Sequence, residues 1–294
     1  MKKLIILLAI ILSTFTFAIE KNYKYKKIIS MSMASDELLY ALVSKDRILA
    51  LSGNSDKNEM RSALWNKIND FNQVKDNVEQ IMALEPDLVI VPNWIKKTVI
   101  SQLEDAGINI YVYDTPSNFQ EEKNLIKELS CLLEVKNIGA RIIKDMDTRL
   151  LAIQQKIKKS GKPCPRVLEY SHYGSTNGKG SMFDDMLSNI YCKNVANEIG
   201  VYRFAKISKE LVIDLNPEII LIPIWDSTSA KNCTQFFTFI KNDKSLAEVD
   251  AIKNNRIYAI PGKYVYMYSQ YIIDGMEEIA NTIYNLNPIR DGSS

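Results

Sequence analysis

The chain has 294 residues, of which 46% are hydrophobic and 24% are charged, so it is long enough for two domains and ordinary in composition for a globular protein. Its 37 basic residues nearly balance its 35 acidic residues, which argues against broad binding to nucleic acids or anionic membranes. With one histidine and four cysteines in no metal-type spacing, it also lacks the ligand set of a protein-built zinc or manganese site.

Residues 1–18 are predicted to form a cleaved secretory signal peptide. Lys2 and Lys3 precede an apolar run from Leu4 to Leu12, and Thr16-Phe17-Ala18 resembles a cleavage site. The run is shorter than the roughly 20 residues that a spanning helix needs, although a retained anchor is the alternative. No cysteine follows the run, which argues against a lipid anchor. The mature protein is therefore expected in the periplasm.

Short aliphatic strands alternate with helical patterns through the first half of the chain. The predicted strands are 27–30, 48–51 and 108–113. The predicted helices are 36–43 and 95–106. Ser35 is the expected N-cap of the first helix, and Gly107 the expected stop after the second. This alternation is typical of a parallel sheet covered by helices.

One unit of sequence occurs twice. Residues 78–94 (VEQIMALEPDLVIVPNW) and 209–225 (KELVIDLNPEIILIPIW) align without a gap at a constant offset of 131. Each copy predicts a short helix, a turn at Pro-Asp or Pro-Glu, an aliphatic strand, and a loop with Trp94 or Trp225. A chain that builds this unit twice is expected to have two similar lobes, with the strand ends facing each other across a cleft. Such a cleft favours a binding protein over an enzyme.

A long helix is predicted between the two copies. Residues 119–134 form one predicted helix, and residues 137–160 form a longer one with apolar side chains at helical spacing, roughly 35 Å in length. The predicted fold class is α/β, with two lobes of mostly parallel sheet joined by this rigid connector helix. The expected domains are an N-terminal lobe (19–136), the connector (137–160) and a C-terminal lobe (161–294).

The second half repeats the alternation of strands and helices. The predicted strands are 166–170 and 256–260. The predicted helices are 182–190, 234–241 and 269–286. Cys131 is expected in a helical core. Cys192 and Cys233 are the pair to test for a disulfide, with four unpaired thiols as the alternative.

Five segments carry a resemblance to a known family. They are IISMSMASDELLYAL, NVEQIMALEPDLVIV, GKGSMFDDMLSNIYCKNVANEIG, ISKELVIDLNPEIILI and NNRIYAIPG. The chain resembles the periplasmic substrate-binding proteins of ABC importers for ferric siderophores, cobalamin and haem, over nearly all of its mature length. The resemblance implies a monomeric binding protein rather than an enzyme, with no cofactor of its own and no nucleic-acid partner. It would deliver a small-molecule metal complex to a permease dimer in the inner membrane.

The resemblance also implies a role for two glutamates of the repeat. In that family a carboxylate on each lobe docks onto arginines of the permease, and the matching positions here are Glu79 and Glu210. A carboxylate in the first turn of a helix is favoured by the helix dipole and can pair bidentately with arginine. Simple helix-terminal charges are the alternative. Both glutamates are expected away from the cleft, because each precedes its strand.

Ligand-binding loops are expected after the carboxyl ends of the strands, lining the cleft. Several carry large amphipathic rings, which suit a flat and partly apolar chelate or macrocycle. Arg203 and Lys263 are candidate partners for an anionic complex, with solvated surface charges as the alternative. The candidate cleft residues are Met33, Asn54, Trp94, His172, Tyr173, Arg203, Trp225, Lys263, Tyr264 and Tyr266.

The single histidine, His172, limits the possible ligands. Capture of a bare divalent ion is disfavoured, but His172 or a nearby tyrosine is a candidate axial ligand to a haem or another complex, with hydrogen bonding as the alternative role. A ferric siderophore is the first expectation, and cobalamin or haem is the second. A secreted hydrolase is a remote alternative, because the chain has no G-x-S-x-G motif. A sensor or adhesin subunit on the same fold also stays open.

Overall fold

Two parallel β-sheets organise the chain, one on each side of a long helix in the sequence. The computed structural model describes residues 22–53, 58–225 and 227–286, without the side chains of 227–234. The strands are β1 (Ile28–Ser30), β2 (Ile48–Ser52), β3 (Gln73–Val74), β4 (Leu88–Pro92), β5 (Ile110–Tyr113), β6 (Arg166–Glu169), β7 (Ser175–Asn177), β8 (Lys193–Asn194), β9 (Phe204–Lys206), β10 (Ile219–Ile224) and β11 (Ile257–Pro261). The helices are α1 (Met33–Leu42), α2 (Val78–Ala83), α3 (Lys97–Asp105), α4 (Phe119–Leu132), α5 (Lys136–Ser160), α6 (Met182–Asn189), α7 (Lys209–Leu215), α8 (Ser227–Asn242), α9 (Asp250–Lys253) and α10 (Ile272–Tyr284).

The sheet of the first lobe has the order β3-β2-β1-β4-β5, and every neighbouring pair is parallel. Every residue of β4 is buried, because helices cover both faces of the sheet. Val89 of β4 packs into the core beneath α2 and α3, whereas Leu88 and Ile90 pack into the core shared with α1 and α4. Because all five strands are parallel, their carboxyl ends lie at one edge of the sheet.

The sheet of the second lobe has the order β11-β10-β6-β8 and is also parallel throughout. Ile220 and Ile222 of β10 pack into a core of this lobe alone, whereas Ile219 and Leu221 belong to a core that continues into the first lobe. The strands β7 and β9 form a separate antiparallel pair beside this sheet.

The helix α5 contacts helices of both lobes. It lies against α4 of the first lobe and α10 of the second. Met146 and Ile153 are buried in the shared core, and the Arg149 guanidinium donates to the carboxylates of Asp274 and Glu277 on α10, each at 2.6 Å. Gly161, in the left-handed region with φ of 63°, ends the helix. Within the described ranges, no helix has both the length and the apolar character needed to cross a bilayer.

These elements confirm the predicted fold class. They also confirm the repeated unit, since α2 and β4 recur as α7 and β10 at nearly the same offset. The helix predicted at 137–160 is α5 and begins one residue earlier. The predicted boundaries of the two lobes, at residues 19–136 and 161–294, stay predictions.

The expected N-cap of the first helix was wrong. The helix α1 begins at Met33, because Ser32 caps it and Ser35 occupies the third helical position. The Ser32 side chain accepts from the Ser35 amide at 3.1 Å, while the Ser35 hydroxyl accepts from the Ser32 amide at 3.2 Å. This reciprocal capping box uses two serines, so either residue fits the N-cap pattern in the sequence.

Three cysteines are free thiols in the described part of the chain. Cys192 is buried, and its Sγ lies 3.5 Å from the hydroxyl of Tyr284. The sequence left open whether Cys192 forms a disulfide with Cys233 or is an unpaired thiol, and the structure has the unpaired thiol. The side chain of Cys233 lies outside the described residues. Cys131 is exposed, so its expected place in the core was wrong, since it lies on the outer face of α4.

Candidate functional site

One pocket contains predicted site residues from both lobes. Trp94, which follows β4 in the first lobe, and Arg203, which precedes β9 in the second, both line a cavity of about 840 Å³. The Trp94 side chain is 58% exposed. A cavity of this size is within the usual range for small-molecule sites. This pocket is therefore the candidate position of the predicted cleft, which stays a prediction.

Carboxylates dominate the charge of this pocket. Its lining includes Asp114, Glu121 and Glu128, and Arg203 is the only cation among the described residues around it. The amide and hydroxyl of Ser117 donate to Glu121 at 2.8 and 2.9 Å. The Ser117 amide is the main reason that the pKa of Glu121 is lowered, with a smaller contribution from Arg203. The pocket therefore suits a neutral or cationic ligand better than a strongly anionic one.

Arg203 is held in an uncommon backbone conformation. Its φ is 56°, in the left-handed region that non-glycine residues seldom adopt. Its amide donates to the carbonyl of Lys179 at 2.8 Å, which ties the segment before β9 to the loop after β7. The neighbouring side chains Tyr202 and Phe204 are 66% and 59% exposed, so this turn presents two aromatic rings to solvent beside the guanidinium.

A second group of predicted residues surrounds Trp225. The ring of Trp225 packs on that of Tyr266, with centroids 4.7 Å apart. A Cβ added to Gly262 would come within 2.7 Å of the same indole, so only glycine permits this close packing. The Tyr266 hydroxyl donates to Glu169 at 2.7 Å. The other Glu169 oxygen accepts from the amide of Asn177 at 2.9 Å. Trp225 thus rests on a supported ring.

The first lobe also touches this group. The Asn58 side chain donates to the carbonyl of Trp225 at 3.1 Å, and the Lys263 amide donates to the carbonyl of Met60 at 2.9 Å. Lys263 is half-buried, and its ammonium lies 5.2 Å from the ring centre of Tyr264. The segment around residues 58–60 therefore bridges the lobes next to Trp225.

The remaining predicted site residues are scattered. His172 packs on Tyr173 with ring centroids 3.7 Å apart, and Tyr173 is 70% exposed. The Nδ1 atom of His172 is buried and has no hydrogen-bond partner among the described residues. Met33 is half-buried at the start of α1, and Asn54 lies outside the described residues. In residues 22–53, 58–225 and 227–286, no three His, Cys, Asp or Glu side chains are placed to hold a metal ion.

Sequence reasoning missed three buried glutamates, of which Glu169 is described above. Glu37 joins the lobes, because it accepts from Ser269 of the second lobe at 2.5 Å and from the amide of Ala63 at 2.9 Å. Burial raises its pKa to about 7. Glu122 has no hydrogen-bond partner in the described part of the chain, and burial raises its pKa to about 8, with a further contribution from Glu37. No local pattern marks either residue.

The two repeated glutamates are both exposed in the first turn of their helices. The caps are equivalent, with Asn77 before Glu79 and Ser208 before Glu210. The hydroxyl of Ser208 is the main cause of a lowered pKa at Glu210.

The expectation that both glutamates lie away from the cleft stays a prediction. The helix α2 follows the parallel strand β3, so Glu79 lies near the same sheet edge as the cleft loops. Burial is the main cause of a raised pKa at Tyr170, directly after β6, and Glu210 adds a smaller contribution. Neither glutamate lines the pocket that contains Trp94 and Arg203.

Comparisons with known proteins agree on one family. A profile of the periplasmic binding protein family matches residues 28–264. The uncharacterized ABC transporter substrate-binding lipoprotein YvrC of Bacillus subtilis is 27% identical over 267 residues, covering 88% of this chain and 80% of that protein. The vitamin B12-binding protein of Vibrio campbellii is 25% identical over 286 residues, covering 95% of this chain and 96% of that protein.

Solved structures share the fold. The periplasmic haem-binding protein RhuT of Roseiflexus sp. RS-1 superposes with a TM-score of 0.74 at 18% identity, covering 89% of this chain and 99% of that one. At this identity the likeness shows the fold alone.

Proposed function

The chain belongs to the periplasmic binding protein family, and we propose that this substrate-binding protein of an ABC importer takes a corrinoid as its ligand. The ligand would be captured between the lobes, at the pocket that contains Trp94 and Arg203. The protein would act by binding alone, without a catalytic residue or a cofactor of its own.

The charge of the pocket carries this proposal. Three carboxylates and one guanidinium line it, and Trp94 offers an exposed ring. A corrinoid is a large macrocycle with neutral amide arms, so it needs aromatic surface and hydrogen-bonding groups rather than cations. The two carboxylates of haem, or the charge of a ferric catecholate, would instead face three acidic side chains and a single guanidinium, which disfavours both. The likeness to a vitamin B12-binding protein along 95% of the chain supports the same ligand class.

A ferric hydroxamate siderophore is the second candidate. Chelates of this type are neutral or cationic, so the acidic lining also favours them. The proposal thus reverses the order expected from the sequence, where a ferric siderophore came before cobalamin. The physical reason is the cluster of Asp114, Glu121 and Glu128 around the pocket, which could not be assigned to one site before their positions were known.

A titration distinguishes these ligands. The chain from residue 19 onward is titrated with cyanocobalamin, ferrioxamine, a ferric tris-catecholate and haemin, following tryptophan fluorescence and calorimetry. Cyanocobalamin is expected to bind tightly and to quench fluorescence, and the tris-catecholate and haemin to bind weakly. Tight binding of ferrioxamine together with weak binding of cyanocobalamin would favour the second candidate, a ferric hydroxamate. A Soret shift with haemin at equimolar protein would overturn both.

Secretion and delivery complete the proposal. The first 18 residues would direct the protein to the periplasm as a signal peptide, and the mature protein would act as a monomer. Glu79 and Glu210 would each pair with an arginine of the permease dimer in the inner membrane. Their exposure and their equivalent first-turn positions support this role, since an exposed carboxylate can pair bidentately with arginine.

A further inference from the structure

The two copies of the repeat share a second solvent-facing feature besides their glutamates. Three residues after Glu79, α2 carries Met82, and three residues after Glu210, α7 carries Ile213. These apolar side chains are 43% and 39% exposed. Residues three apart on a helix are surface neighbours, so each copy presents a carboxylate beside an apolar side chain.

The two helices are fixed to their lobes in the same way. Ile81 and Val212, at matching positions, are fully buried. The outward faces of α2 and α7 can therefore be compared position by position. At another exposed position the chemistry differs, with Ala83 in the first copy and Asp214 in the second. Duplication alone thus does not keep exposed positions alike on these helices.

A single exposed apolar side chain is ordinary and needs no explanation. The pairing of each with a carboxylate, at matching places in two lobes, is a different observation. We infer that Glu79 with Met82, and Glu210 with Ile213, form two equivalent docking patches for a two-fold symmetric protein partner, each half of which presents an arginine beside an apolar pocket. This inference rests on the proposed function and adds the apolar half of the contact.

The two components of a patch supply different things. The carboxylate orients the partner and selects against anionic surfaces, including an anionic lipid bilayer. The apolar side chain loses exposed surface on docking and supplies affinity. Because both patches present the same pair, one kind of partner surface fits both, and this favours a partner with two identical subunits. For a partner without two-fold symmetry, the likeness of the two patches would not strengthen binding.

Polar variants of the apolar residues test the inference. The probe is the host importer whose uptake depends on this chain, purified with its ATPase subunits in nanodiscs. Met82→Gln and Ile213→Gln should each weaken binding to it about tenfold. Met82→Leu and Ile213→Leu should bind like the wild type, because they keep the apolar surface. Leu151→Gln is the matched control, since Leu151 is 56% exposed on α5, outside the repeat.

The outcomes separate this inference from the proposed function. If the Gln variants bind the importer like the wild type while Glu79→Arg and Glu210→Arg lose binding, the apolar half of the patch is wrong and the docking glutamates stand. If none of the four substitutions changes binding, docking uses another surface. Cyanocobalamin affinity is measured for every variant and should not change, and a shared loss of affinity or of melting temperature would count against a surface role.

Discussion

The two copies of the repeated unit agree at one end and differ at the other. At the helix end, both present an exposed glutamate and an exposed apolar side chain. At the strand end, Trp94 is 58% exposed, whereas Trp225 is half-buried and packs on Tyr266. The difference suggests two kinds of partner. Equivalent surfaces suit a two-fold dimer, and dissimilar ones suit a ligand that lacks that symmetry.

The second lobe has a support that the first lobe does not repeat. The carboxylate of Glu169 links Tyr266 to Asn177, and so joins the loop after β11 to the strand β7. Gly262 leaves the space into which the Trp225 indole fits. Trp225 is thereby held in one orientation, whereas Trp94 is 58% exposed.

The largest expected effect concerns the helix ends of the two repeat copies, where both carry an exposed glutamate. The double variant Glu79→Arg/Glu210→Arg should reduce uptake of the ligand at least about 100-fold, because like-charge contacts with arginine cost several kcal/mol. Substitution by Ala should cost less than reversal. Cyanocobalamin affinity should stay within about twofold of the wild type, since neither residue lines the pocket.

Uptake in cells and binding to the purified importer measure this prediction. Glu104→Arg, an exposed reversal on α3, is the matched control and should transport normally. Normal uptake by the double variant would show that the matching helix ends have no docking role. The likeness of the two helix ends would then have no functional explanation.

The next effect concerns the strand ends of the two repeat copies, where the two tryptophans differ in exposure. Trp94→Ala should weaken cyanocobalamin binding roughly tenfold or more, with little change in the free energy of unfolding, because the ring is exposed. Trp225→Ala should weaken binding less than Trp94→Ala, because Trp225 does not line the pocket, and it should lower the free energy of unfolding by about 1–2 kcal/mol, because its ring loses the contact with Tyr266. Fluorescence titration and urea unfolding separate the two quantities. Wild-type binding by both variants would make these tryptophans packing residues.

The buried acids give the lobes different pH dependences. Burial raises the pKa of Glu122 to about 8 and those of Glu37 and Glu169 to about 7, against roughly 4.3 in an unfolded chain. The folded state therefore binds more protons, so this stability is present below about pH 4.3 and is lost as pH rises to about 8.

Urea unfolding between pH 5 and 8 measures this loss. The wild type should become less stable as pH rises, and Glu122→Gln should remove the largest share of the slope, on the order of a few kcal/mol across the range. Glu169→Gln is the matched control in the second lobe and should remove less, because its partners also stabilise the ionised form. An identical slope in the wild type and in Glu122→Gln would show that Glu122 titrates normally.

Most of the fold could be predicted because its signals are local. The aliphatic runs, the repeated unit and the long helical pattern each lie within one segment, and the structure places them as expected. The strands β7 and β9 were missed because each has three residues and pairs with a partner far along the chain, as in Ser175 with Lys206. Strand ends also predicted that Trp94 lies at a cleft.

The rest of the site depends on contacts between distant residues. Glu169 and Tyr266 are 97 positions apart, and Glu37 and Ser269 are 232 apart. Neither pair has a spacing that a periodic pattern could reveal. The residues around a single glutamate in an apolar segment do not indicate which distant side chain will bind it. The acidic character of the pocket was missed for another reason: Asp114 directly follows β5 and Glu128 lies on α4, and no motif in this segment places the two carboxylates around one cavity.

The smallest expected effect concerns how the two lobes move relative to each other. The helix α5 packs against α4 and α10, with Arg149 bound to two carboxylates of α10, and Glu37 accepts from Ser269 across the lobes. These contacts resist a change of angle, so ligand binding should alter the radius of gyration by about 1 Å or less. X-ray scattering with and without cyanocobalamin should then give nearly superimposable profiles. Glu37→Ala removes a contact between the lobes and should enlarge the difference, whereas Glu104→Arg should not. A large compaction of the wild type would mean that the lobes hinge, and that Trp94 and Trp225 approach each other only around the ligand.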